Sequence, residues 1–191
     1  MFGMLLASYA INAMDRQLFP LLATEVRRQY GFSLAGVGFL STIFTLGMAV
    51  AAVAGLPTGY LLARFSRKTV LQVGIALFSA GTALTVIAAG FSDMLIYRAA
   101  TGIGEAMQLT VLLAIAATYF VNHRAAALGS VNFCFGVGAI ISPILGGALL
   151  SAYGSWQASM VVFGLLGFVA IAVMFISVPP CFVTPSIESG A

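Results

Sequence analysis

Apolar residues run along this chain in long blocks, parted by short polar or glycine-bearing breaks. A helix needs about 20 mainly apolar residues to cross the hydrocarbon core of a bilayer. Six blocks meet that length. They predict helices at roughly Phe2–Val26, Leu34–Ala63, Thr69–Ala89, Met94–Val121, Ala125–Ala152 and Trp156–Val178. The breaks are Arg27–Gly31, Arg64–Lys68, Gly90–Asp93, Asn122–Arg124 and Tyr153–Ser155. Ser33 suits the N-cap of the second helix, and Pro20 marks a point where the first can kink. The expected architecture is an all-α integral membrane bundle over residues 1–178. The proline-bearing segment 179–191, without Lys or Arg, reads as a disordered cytoplasmic tail.

Composition supports that class. Of 191 residues, 61% are hydrophobic and 7% charged, and the mean hydropathy is +1.10. A soluble domain carries about 25% charged residues. The basic residues are scattered rather than clustered, so the basic balance does not point to nucleic acid. Cys134 lies in an apolar block and Cys181 in the tail, which disfavours a disulfide. With His123 the sole histidine, there is no ligand set for a metal, no nucleophile–base set for an enzyme, and no cofactor to expect. The first block has no basic region ahead of it and runs on through Asp15, so it reads as a membrane helix rather than a cleavable signal. Its abrupt start hints at residues missing in front.

Basic residues also set the orientation. Arg64, Arg67, Lys68 and Arg124 follow the second and fourth helices, whereas the other breaks carry Arg27 and Arg28. Both termini are therefore expected in the cytoplasm.

Four charges interrupt the apolar blocks: Asp15 and Arg16 in the first, Arg98 and Glu105 in the fourth. A lipid-facing charge at mid-membrane costs about 2.5–3.5 kcal/mol, so such residues normally face protein or water. Ser8, Asn12 and Asp15/Arg16 recur every three to four residues and share one helix face. Arg98, Gly102 and Glu105, at i, i+4 and i+7, share another. Gly102 leaves room between two charges for a neighbouring helix or a ligand. Burial opposes ionisation of Glu105 and a nearby arginine favours it, which suits proton exchange. The plainer alternative is a salt-bridge network that pins helices 1 and 4 together. Asn12 and Gln108 are candidate polar contacts for a ligand or between helices.

Helices 2 and 5 carry matching elements, Pro57-Thr-Gly-Tyr-Leu-Leu and Pro143-Ile-Leu-Gly-Gly-Ala-Leu-Leu, and helices 1 and 4 carry the charges. Two inverted three-helix repeats with sites near the midplane are the pattern of secondary transporters.

The residues now resemble a known family. Gly59-Tyr-Leu-Leu-Ala63-Arg64-Phe-Ser66-Arg67-Lys68 resembles the helix 2–3 loop signature of the major facilitator superfamily, a gating motif. Arg98-x-x-x-Gly102-x-Gly104-Glu105-Ala106 resembles its helix 4 signature in the anion:cation symporters and spinster-like lipid transporters. Met14-Asp15-Arg16 looks like the same group. Gly138-x-x-x-Ser142-Pro143-x-x-Gly146-Gly147 is similar to the helix 5 packing signature. Two positions depart from the pattern: Ala63 stands where the family has Asp, and Ser66 where it has Gly.

The resemblance implies proton-coupled symport of a small organic anion by alternating access, in a bacterial inner (plasma) membrane. Asp15 and Glu105 match the proton-carrying carboxylates, and Arg16 and Arg98 the arginines that meet the substrate. Family members have about twelve helices, so this chain matches the N-terminal half and needs a C-terminal half or a second copy to complete the cavity. Efflux of an amphipathic or lipid-like compound is the alternative transport mode, and an inactive truncated fragment the alternative without transport.

Overall fold

A computed structural model describes residues 2–53, 60 and 64–177. These hold six long helices: α1 (Phe2–Tyr30), α2 (Leu34–Val53), α3 (Arg67–Leu84), α4 (Phe91–Tyr119), α5 (Arg124–Tyr153) and α6 (Trp156–Ser177). The expected tail and the end of the second predicted helix lie outside the described residues.

The helix ends follow local chemistry. Gly31 (φ 67°) stops α1 and Gly154 (φ 63°) stops α5, where the left-handed backbone strongly favours glycine. Ser33 Oγ accepts from the Gly36 amide at 3.0 Å, as expected for the N-cap of α2. Ser66 caps α3, accepting from the Thr69 amide at 3.1 Å. The residue that departs from the loop signature thus starts the next helix.

Several boundaries differ from the sequence expectation. α1 runs through Arg27 and Arg28 to Tyr30, because arginines are good helix formers and complement the dipole in a last turn. α3 tightens into a 3-10 turn over Thr85–Ile87 rather than continuing as α-helix to Ala89. The β-branched run Thr85-Val86-Ile87 favours that change. α4 begins at Phe91, with Asp93 in its first turn accepting from the Ala89 amide at 3.0 Å. Residues Val121–His123 form a 3-10 turn before α5. Pro20 and Pro143 lie inside α1 and α5, which run on through them as α-helix.

The heaviest packing pairs α3 with α4, α1 with α5, and α2 with α4, followed by α3 with α6. Exchanging the first three helices for the last three maps the α2–α4 pair onto the α5–α1 pair. That is the signature of two inverted three-helix repeats. α3 to α6 contain stretches long and apolar enough to cross a membrane, α2 has a shorter apolar run over Leu34–Val50, and α1 is interrupted by its polar face.

Two apolar clusters fill the interior. One gathers Leu5, Tyr9, Ile75, Phe78, Val111 and Ile115. The other gathers Leu18, Phe19, Leu22, Met94, Met160 and Phe163. α1 and α4 each pass from one cluster to the other, and their charged residues lie in the layer between. Beyond that layer, Tyr30 donates to the Ala88 carbonyl (2.7 Å) and Gln29 Oε1 accepts from Trp156 Nε1 (2.6 Å) and Gln157 (2.8 Å). At the other end, Lys68 Nζ donates to the Phe175 carbonyl at 3.3 Å.

Candidate functional site

The layer between the clusters is built on α1 and α4, whose polar stripes face each other. Asp15, Arg98 and Glu105 are buried, at 1%, 1% and 0% exposure. Arg16 Nε donates to Glu105 Oε2 at 3.0 Å, joining the two helices as an ion pair. Arg16 Nη2 donates to Asn12 Oδ1 (3.3 Å), Asn12 Nδ2 to Gln108 Oε1 (2.9 Å), and Gln108 Nε2 to Ser8 Oγ (3.1 Å). One hydrogen-bonded chain therefore runs from Glu105 to Ser8 and crosses between the helices three times. The Arg16 guanidinium also lies 5.1 Å from the Phe135 ring of α5.

Asp15 and Arg98 are held differently. Thr82 Oγ1, on α3, lies 2.8 Å from each Asp15 carboxylate oxygen and donates to them. Asp15 also stands close enough to Glu105 to interact with it. Arg98 has no carboxylate oxygen within 4.0 Å among the described residues. Its guanidinium carbon sits 4.4 Å from the Phe19 ring centre, and Nη2 reaches the Met160 sulfur at 3.6 Å. Arg98 Nε and Glu105 Oε1 are buried without a hydrogen-bond partner among the described residues.

A cavity of about 300 Å³ opens beside this layer, between α1, α2 and α4. Arg16 and Arg98 line it with Phe19, Pro20, Phe44 and Met48, and with the α2 hydroxyls of Ser41 and Thr45. Neither carboxylate lines it. Pro20 has no amide to give the Arg16 carbonyl, so one backbone acceptor at this wall is free of its helical bond.

The structure sorts the residues that the sequence singled out. Arg16 and Arg98 reach the cavity, and Asp15 and Glu105 are buried behind it. Asn12 and Gln108 are buried too, bonded to each other, and do not line the cavity. Gly102 admits a helix rather than a ligand: a Cβ there would meet the Phe44 carbonyl of α2. Gly104 lies against α3, where a Cβ would stand 2.6 Å from the Gly74 carbonyl oxygen. Gly138 packs on the Ala10 carbonyl and Gly146 on Leu18 and Leu21. Pro143 is exposed, and among the described residues nothing lies within 4 Å of a Cβ at Gly147, so neither packs on another of these helices. Their neighbour Ser142 makes the contact instead, donating to the Met14 carbonyl at 2.6 Å.

Of the loop motif, Gly59 falls outside the described residues. Arg64 is exposed against the Tyr60 ring at 4.6 Å, and Lys68 ties α3 to the end of α6. Neither lines the cavity. His123 is exposed and Cys134 is a free thiol. Among the described residues no group of three His, Cys, Asp or Glu side chains is placed to hold a metal.

Sequence reasoning missed Thr82, Phe19 and Met160. Thr82 had one signal: Ser79, Thr82 and Thr85 recur every three residues on the buried face of α3. Phe19 follows Asp15 by one turn, but it and Met160 are ordinary apolar residues in apolar helices.

Comparison with known proteins agrees with the six-helix fold. The sequence profile of the Major Facilitator Superfamily matches residues 5–187. The chain belongs to that superfamily of membrane transporters. It is 30% identical to a triacylglyceride transporter of Mycolicibacterium hassiacum, over 89% of this chain and 32% of that protein. It is 31% identical to the Drosophila melanogaster protein spinster, over 89% and 28%. A probable chloroplastic anion transporter of Arabidopsis thaliana is 30% identical, over 84% and 31%. The chain thus spans about a third of the length of these relatives. The crystal structure of a bacterial homologue of the human lysosomal transporter spinster, inward-facing and unoccupied, superposes with a TM-score of 0.82 at 23% identity. That match covers 94% of this chain and 42% of the other, so six helices correspond to half of the fold.

Proposed function

We propose that this chain is the N-terminal half of a secondary active transporter that couples protons to the movement of a small organic anion by alternating access. The observation that carries the reading is the split within the polar layer: two guanidiniums line a cavity while two carboxylates are buried directly behind them. Cations at a low-dielectric wall attract an anion. Carboxylates behind them can take up protons without blocking that wall. The unpartnered Glu105 Oε1 supports this role. Asp15 and Glu105 are both acceptors when ionised, and a proton bound to either gives them a hydrogen bond to share.

In this reading Arg16 and Arg98 meet the anion, and Asp15 and Glu105 carry protons. Asn12 and Gln108 orient Arg16. The bundle lies in a bacterial plasma membrane with both termini cytoplasmic, and a second six-helix unit closes the cavity. The test is uptake of radiolabelled organic anions into proteoliposomes holding the full-length protein, driven by a pH gradient. Asp15→Asn combined with Glu105→Gln should abolish the response to the gradient. Unchanged gradient-driven uptake by that double variant removes the proton role.

The apolar part of the cavity favours a second reading. Phe19, Pro20, Phe44 and Met48 suit the tail of an amphipathic anion, and relatives named as triacylglyceride transporters are 28–30% identical to this chain. Export of such a compound would appear as transport directed out of the cytoplasm. It would also appear as affinity that rises with tail length.

A further inference from the structure

The two cavity-lining arginines are not equivalent. Arg16 has its Nε on Glu105 and its Nη2 on Asn12. Arg98 is more deeply buried yet reaches no carboxylate within 4.0 Å among the described residues, and its Nε has no partner. A buried charge left in that state is costly and is normally paired. What touches the Arg98 guanidinium instead is neutral and polarisable: the face of Phe19 at 4.4 Å and the sulfur of Met160 at 3.6 Å.

We propose that Phe19 and Met160 are positioning residues that hold the Arg98 guanidinium at the cavity wall without neutralising it, so that its charge is available to an anionic guest. A ring face attracts a cation through its quadrupole and a thioether is a weak acceptor, so both steady the group and neither carries a formal charge. A carboxylate in either place would form a closed pair and leave the anion to compete with it. Phe19 also lines the cavity, so the same ring borders the guest's apolar part. Asp15 and Glu105 act on Arg98 through space, from beyond ion-pair contact.

The division of labour follows. Arg16 is tied to the proton-carrying layer through Glu105, and of the two cavity arginines Arg98 is the one without an ion pair among the described residues. This inference rests on the anion-transport reading, so the experiment must separate the two. The full-length protein in nonionic detergent is titrated with hexanoate and with hexanamide, its uncharged counterpart. Binding is read from the dose dependence of the thermal shift.

The anion reading requires that the wild type prefer hexanoate and that Arg98→Gln lose the preference. If the wild type shows no preference, both the reading and this inference fall. With the preference established, Phe19→Leu should weaken hexanoate roughly tenfold and hexanamide much less, so that the preference for the anion falls. Phe19→Tyr, which restores a ring face, should return hexanoate binding to near the wild-type value. Met160→Leu asks the same question from the other side of the guanidinium and should give a smaller loss confined to hexanoate. It also decides the matter if Phe19→Leu does not fold. Wild-type discrimination in Phe19→Leu and Met160→Leu, or equal loss of both probes, overturns the positioning role while leaving the anion reading intact.

Discussion

Arg16 and Glu105 are each the central residue of a 29-residue helix, and a 3.0 Å ion pair joins them. The pair is asymmetric: the Glu105 side chain is fully buried and that of Arg16 is 19% exposed. Removing one partner of a buried pair costs about 3–5 kcal/mol, mostly from the charge left behind. Arg16→Ala should therefore lower the unfolding midpoint of the detergent-solubilised protein markedly. Arg16→Met with Glu105→Leu should recover most of that stability while losing transport. A double variant no more stable than Arg16→Ala would show that the pair is not the source of the cost.

Thr82 gives Asp15 its hydrogen bond from α3. A hydrogen bond to a charged group contributes about 1.5–3 kcal/mol. Thr82→Val keeps the shape and removes the donor, so it should destabilise by that order, whereas Thr82→Ser should stay near wild type. Thermal unfolding of the two variants side by side checks this. Equal stability would mean that Asp15 draws its support from elsewhere in the layer.

The glycines of α4 and α5 make a contrasting pair of tests. A Cβ at Gly102 runs into the Phe44 carbonyl, which is backbone and cannot step aside. Gly102→Val should push α2 off α4 and abolish folded yield. At Gly147 a Cβ meets nothing within 4 Å, and alanine is favoured over glycine in a helix by about 0.8–1 kcal/mol. Gly147→Ala should leave stability unchanged or raise it. Monodispersity after size-exclusion chromatography, followed by thermal unfolding, reads both.

Ser66 stands where the family signature has glycine, and it caps α3. Ser66→Ala should cost about 1 kcal/mol and Ser66→Gly only a few tenths. Equal stability of Ser66→Ala and wild type would mean that the cap contributes nothing at this loop.

The six helices and the polar layer were legible because two strong signals coincide. Apolar runs of membrane length declare the helices, and a charge within such a run is too expensive to be idle. The spacing of Arg98, Gly102 and Glu105 also placed them on one face. Partners across the bundle were not legible. Nothing in the order of residues says that Asp15 meets Thr82 rather than an arginine, since either satisfies a carboxylate. Nor does sequence show that Arg98 rests on Phe19 and Met160, which look like core residues and are. The glycine signature of α5 was half informative for a similar reason. Gly138 and Gly146 fall on the face against α1, whereas Gly147, one residue on, turns about 100° away from its neighbour.

The central placement of the ion pair has a mechanical consequence. The ends of α1 and α4 lie about 21 Å from Arg16 and Glu105 along each helix axis. A tilt of the bundle by about 10° about an axis through the pair would sweep those ends through roughly 4 Å and leave the pair itself in place. The charged layer is then the fulcrum of such a tilt rather than one of its moving parts. The buried carboxylates would stay in place, while the helix ends, where Tyr30, Trp156 and Lys68 make their contacts, would travel farthest.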